Sequence, residues 1–221
     1  DLTLVDSVQG GGSAGTATAT GLVAIGNDRQ IFAMVGAGTS DAVNDIACSI
    51  VGTGGSASMD RLFFSGTQTS DPSASFEAFA GFVIDEANLP GDGPYELIAN
   101  ATGANVPDKV GIVAGSVANA PNPAGAVFDR SSSVAATVVV DGSLAIAALG
   151  SSTATSNASM IGATQVENLF SYGDGIQLGW TIADVGPLTV TNEVNGRSLC
   201  ALVVFEPGPL PEGFNQGSRG P

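Results

Sequence analysis

The sequence predicts an all-β protein, a two-sheet antiparallel sandwich with little or no helix, and three observations lead there. Apolar residues come in short runs split by Gly, Ser, Thr and Asp, and 31 glycines interrupt every window in which a 3.6-residue period could develop. The runs recur at the spacing of short strands, several with alternating apolar and polar positions. Asp-Gly and Asn-Gly pairs stand between some of them and supply the positive φ angles of a tight hairpin turn.

In chain order the expected strands are Leu2–Val8, Ala19–Ile25, Gln30–Val35, Asp45–Val51, Arg61–Ser65, Ser75–Ile84, Tyr95–Ala101 and Lys109–Val117, then Ser133–Val140, Ser143–Leu149, Ala158–Val166, Ile176–Ile182, Leu188–Asn192 and Arg197–Phe205. Hairpins are expected at Asp141-Gly142, Gly173-Asp174-Gly175 and Asn195-Gly196. The best helical stretch, Asp41–Ile46, amounts to a turn or two. Neither an internal repeat nor a coiled-coil heptad stands out.

The 221 residues are 43% apolar, enough for one large core. Residues 1–18 read as an N-terminal strand on a flexible linker, Gly10-Gly11-Gly12-Ser13-Ala14-Gly15. Residues 19–206 read as the sandwich, and residues 207–221 as an extended Pro/Gly-rich arm. Such ends suit clamping or strand exchange between subunits, with Leu2, Leu4, Val5, Val8, Pro207, Pro209, Pro211 and Phe214 as the assembly residues. The plainer reading pairs Leu2–Val8 within its own sheet. The chain opens on Asp1 without a basic-then-apolar leader, so the expectation is a removed leader or a start further upstream.

Six basic residues face 21 acidic ones, for a net charge of −15, and Lys109 is the only lysine. Nucleic acid and anionic membrane both require a basic footprint, so neither is an expected partner. Only 12% of residues are charged, which leaves the surface to Ser, Thr, Asn, Gly and Ala. There is no histidine, and with it go the commonest general base, metal ligand and pH switch. A serine nucleophile would have to rely on Lys109, and Gly-x-Ser-x-Gly and phosphate-binding glycine motifs do not occur. The expectation is therefore no enzyme and no cofactor. Asp85, Glu86, Asp92 and Glu96 lie close together in Ile84–Leu97. Asp85 and Asp92 are candidate calcium ligands, since hard cations take clustered oxygens, although the spacing is not that of an EF-hand; the alternative is a solvated acidic loop. Cys48 and Cys200 sit in apolar runs and are either buried thiols or a disulfide between neighbouring strands. Trp180 alternates with Ile176 and Leu178, as a core plug would.

From Val43 to Pro207 the order of pieces carries a resemblance. Ile46–Val51 leads through Gly54-Gly55 into Met59–Phe64. Phe82–Ile84 is followed by Leu89-Pro90-Gly91-Asp92-Gly93 and Tyr95–Ala101. Val113-Ala114-Gly115-Ser116-Val117 precedes Pro121-Asn122-Pro123, and Gly179-Trp180-Thr181 precedes Ala201–Phe205 with Glu206-Pro207. This layout resembles a jelly-roll-like domain of phage and prophage virion structural proteins. The resemblance implies a sandwich of jelly-roll type and a capsid decoration, cement or head-fibre subunit at the virion surface. It also implies a homo-oligomer whose partners are other copies and other virion structural proteins, with no catalytic residues to carry over. The alternatives are a secreted donor-strand-linked filament subunit and a carbohydrate-binding adhesin or tail protein.

Overall fold

The structure, a computed structural model, describes residues 2–38, 42–66, 78–121, 125–129, 133–151, 160–171, 174–192 and 198–207. Seventeen strands and one 3-10 turn, Glu86–Asn88, make up its regular structure. The strands form four sheets, antiparallel at every pairing. No helix among the described residues is long and apolar enough to cross a membrane.

The N-terminal half has an inner sheet of β1 (Thr3–Gly12), β9 (Lys109–Ala118), β3 (Gln30–Gly38), β7 (Ala78–Asp85) and β6 (Asp60–Ser65), in that spatial order. Its outer sheet runs β2 (Thr16–Leu22), β8 (Tyr95–Gly103), β4 (Val43–Gly52) and β5 (Gly55–Ser58). In the C-terminal half the inner sheet is β10 (Gly125–Asp129), β17 (Ser198–Phe205), β12 (Ser143–Ser151), β15 (Asp174–Ala183) and β14 (Thr164–Ser171). The outer sheet there is β11 (Ser133–Val138), β16 (Gly186–Asn192) and β13 (Met160–Ile161).

The four sheets stack as outer, inner, inner, outer, with three apolar layers between them. Ile31, Ala33 and Val35 of β3 meet Ile46, Ile50 and Leu97 of the first outer sheet. The alternate residues Phe32 and Met34 turn the other way, onto Ile146, Ile176, Leu178 and Val203 of the second inner sheet. Ala145, Ala147, Leu149 and Leu202 then close on Val134 and Val190 of the last sheet. Strands covered on both faces need no polar side, which is why β3 and β12 read as unbroken apolar runs. Each large aliphatic or aromatic side chain buried this way contributes roughly 1.5–3 kcal/mol.

The two halves share one connectivity. Writing β10, β11, β12 and β13 for β1, β2, β3 and β4, and β14, β15, β16 and β17 for β6, β7, β8 and β9, turns the first pair of sheet orders into the second. Only β5 lacks a counterpart among the described residues. The chain is therefore an internal structural repeat, which the sequence does not display. Matched by register, Gln30–Ala37 falls on Leu144–Ser151, and the two segments share only Ala33/Ala147 and Gly36/Gly150.

The halves pack about a pseudo-two-fold axis, β1 lying over β14 and β6 over β10. Two glycines mark the crossing. A Cβ on Gly36, near the end of β3, would come within 2.7 Å of Ile176 Cδ1 at the start of β15. A Cβ on Gly150, near the end of β12, would overlap the Phe79 ring at the start of β7. Gly36 pairs with Phe79 and Gly150 with Ile176, so each half sets its bulky residue over the other half's glycine. The contact also fixes direction: β3 and β12 end on the same side, so the axis lies along the strands. Equivalent loops of both halves consequently emerge at one end, called here the base, where β1 begins and β17 ends.

Several expectations change. Four sheets replace two, because the inner sheets are buried on both sides. β1 is not an arm on a linker: it pairs with β9 in its own chain from Thr3 to Gly12. Gly10 and Gly12 belong to that strand, their missing side chains letting the backbone lie against the Thr18 and Thr16 carbonyls. Asp141-Gly142 is a turn, with Gly142 at φ +76°, but it passes from one sheet to the next instead of closing a hairpin. β16 and β17 likewise lie in different sheets, and Asn195-Gly196 falls outside the described residues. β14 and β15 do form the expected hairpin ladder. Val43–Ile46, taken for helix, begins β4, because its alternation buries Val43 and Ile46 in the first core. β5 and β10 have no counterpart among the expected strands; both are short, and β5 holds no large apolar residue.

Candidate functional site

The base carries a network of polar contacts, and Arg29 organises it. It follows the β2–β3 loop, and its backbone N–H donates to Glu86 Oε2 at 3.0 Å. Its guanidinium donates to Glu86 Oε1 through Nε at 3.1 Å and Nη2 at 3.0 Å, and to the Ala24 carbonyl at 3.2 Å. Asp92 Oδ1 lies 3.6 Å from Nη1. The backbone N–H of Arg29, and then its charge, hold the Glu86 carboxyl below the usual carboxylate range against the opposing effect of burial. The β7–β8 loop is pinned in turn to the β4–β5 turn. Gly54 N–H donates to the Pro90 carbonyl at 3.0 Å, and Asp92 N–H to Thr53 Oγ1 at 3.0 Å. The buried Tyr95 hydroxyl donates to the Gly91 carbonyl at 2.7 Å.

Beside this network lies a cleft of about 670 Å³ lined by Asp28, Arg29, Gln30, Asp60, Asp85 and Glu86 among others. Two of its polar groups, Gln30 and Asp85, hold loops. Gln30 Nε2 donates to the Ala120 carbonyl at 2.6 Å, tying β3 to the chain after β9. Asp85 Oδ1 caps the 3-10 turn, accepting from Asn88 N–H at 3.2 Å and Asn88 Nδ2 at 2.8 Å.

Asp85 and Asp92, the calcium candidates, both belong to this network of loops. The two carboxylates serve different partners, and no three His, Cys, Asp or Glu side chains gather as metal ligands among the described residues. The disulfide reading is corrected. Cys48 and Cys200 are both buried thiols, one in the first core layer and the other in the third. Burial pushes the Cys48 thiol up to about 12, since the apolar surroundings penalise a thiolate.

The assembly residues scatter. Leu2 is buried and Leu4 packs beside it in the layer between the halves, while Val8 packs against the first core. Val5 is half-buried in β1. Pro207 follows the last strand, and Pro209, Pro211 and Phe214 lie outside the described residues. Trp180 is partly buried against the layer between the halves.

What sequence reasoning passed over is the apolar rim of the base. Val23 and Ile25 on the β2–β3 loop, Val139 between β11 and β12, and Ile182 and Val185 around the β15–β16 turn are all exposed. The β2–β3 and β11–β12 connections are equivalent in the two halves, and the β15–β16 turn corresponds to the β7–β8 loop at the same end. The loops that carry them are fixed: Val23 N–H donates to Asp6 Oδ2 and Val185 N–H to Asp141 Oδ1, at 2.8 and 2.7 Å. The available signal was large apolar residues beside Gly26, Gly142 and Gly186, whose positive φ angles mark turns.

Comparison with protein-family models, with curated proteins and with solved structures returned no match to this chain.

Proposed function

We propose that the chain is a structural subunit of a virion, a capsid decoration, cement or head-fibre protein. It would act at the virion surface through contacts with its own copies and with other structural proteins. The observation that carries this reading is the base, where rigidly held loops of both halves present exposed Val and Ile side chains at one end of a four-layer body. Apolar side chains on fixed loops suit docking, because little conformational entropy remains to be lost on contact. The acidic balance supports surface placement over genome contact. The jelly-roll reading draws support from the strand order, in which each half sets its first strand beside its last and its third beside the last.

The test is assembly of the purified protein, followed by sedimentation and electron microscopy, for the wild type and for Ile25→Asp/Val185→Asp. Both positions are exposed, so the variant should melt like the wild type while losing its oligomers. A wild type that stays monomeric at every concentration, or a variant that assembles unchanged, overturns the reading.

A further inference from the structure

The exposed apolar rim of the base is set among carboxylates. Asp28 follows Ile25 on the β2–β3 loop, Asp141 follows Val139 between β11 and β12, and Asp184 directly precedes Val185; all three are exposed. Asp6 and Asp141 also hold the Val23 and Val185 amides. Asp92 stands beside Arg29 with its side chain 88% exposed.

Among the described residues the cations are Arg29, Arg61 and Lys109. Arg29 is held by Glu86 and Asp92, and Arg61 by Asp45. Lys109 pairs with Gly38 where β3 ends, at the end of the molecule away from the base. The outward faces of the outer sheets differ again: Thr16, Thr18 and Thr20 of β2, Thr137 of β11 and Thr189 of β16 stand there uncharged. The base is thus apolar at its exposed tips and negative around them, a pattern that neither the far end nor the flat sides repeat.

We propose that the tight partner of the base is another structural protein, one that presents an apolar patch flanked by lysine or arginine, and that a second copy of this chain meets the base only where salt screens the carboxylates. This rests on the reading of the base as a docking surface and adds the chemistry of what docks there. The apolar tips supply contact that is indifferent to the partner's charge. The carboxylates around them speed the approach of a basic surface and reject an acidic one. Two bases brought together oppose carboxylate to carboxylate, with Asp141 and Asp184 on both sides of the contact. That repulsion reaches over ~30 Å at 0.01 M salt and only ~3 Å at 1 M.

The test uses the full chain and two synthetic peptides with the same apolar centre, one flanked by lysines and the other by glutamates. Binding is read by fluorescence anisotropy at about 0.01 M and about 1 M salt. The lysine peptide should bind about tenfold more tightly at low salt, and the two should converge at high salt. Asp184→Lys, at the base, should remove most of that preference. Asp108→Lys changes the net charge equally but lies beside Lys109 at the far end, and it should leave most of the preference in place. Sedimentation of the same proteins should show self-association that rises with salt, less steeply in Asp184→Lys than in Asp108→Lys. Peptides that bind alike, or both fail to bind, overturn the proposal. Equal effects of the two Asp→Lys changes overturn it as well, because they assign the preference to net charge alone. If Ile25→Asp/Val185→Asp still loses its oligomers in that case, the docking surface stands and only the partner's chemistry falls.

Discussion

Gly150→Ala probes the crossing of the two halves directly. Gly150 is buried, its Cβ position overlaps the Phe79 ring, and the ring is itself enclosed in the layer between the halves. Overpacking of this kind typically costs about 1–3 kcal/mol. Replacing glycine with alanine returns about 0.4–1 kcal/mol by restricting the unfolded chain. The net expectation is a loss of about 1–2 kcal/mol, or roughly 2–8 °C in melting temperature for a chain of this size. Gly125→Ala is the control, because a Cβ there meets nothing within 4 Å, and it should be neutral or slightly stabilising. Phe79→Leu should relieve the clash, so a double-mutant cycle read by urea denaturation should show a coupling of about 1 kcal/mol or more. Additive losses, or a Gly150→Ala variant as stable as the Gly125→Ala control, would refute the packing argument.

Glu86→Gln should lower stability at neutral pH by less than about 1 kcal/mol, as expected of a partly exposed ion pair. Because the folded Glu86 carboxyl is held low, its stabilisation is present above the unfolded value of about 4.3 and disappears as pH falls through the folded one. The difference between wild type and variant in urea midpoint should therefore shrink on acidification and vanish in strong acid. Both thiols should resist a thiol reagent until the protein unfolds, and the melting curve should be the same with and without reductant. Phe128→Ala removes a ring stacked on Phe63 at 4.8 Å between centroids, and should cost about 1 kcal/mol in chemical denaturation beyond the small area it exposes.

The base also shows how far site reasoning from sequence could go. Asp85, Glu86 and Asp92 are close in sequence and legible as one loop, but the role of that loop in holding Arg29 is not. Arg29 lies 57 residues from Glu86, and only the pairing of β3 with β7 brings them together. The same holds for Val23 and Val185, which the packing of the two halves brings to one end of the molecule. The terminal strand was read as an arm because glycines usually mean a linker. Here Gly10 and Gly12 are needed for close backbone approach, a demand set by β2 and invisible in β1 itself.

The all-β class, most strand positions, the Gly142 turn and the poverty of acid–base residues are legible without a structure. These rest on composition, or on alternation and turn residues within a few positions of one another. Tertiary structure alone decided that there are four layers and not two, that β11 and β12 part into different sheets, and that one connectivity occurs twice. A strand buried on both faces and a strand in any other core present the same apolar run. Which partner covers each face depends on register between segments far apart in the chain, and that is settled only when Phe79 and Ile176 find Gly150 and Gly36 across the interface.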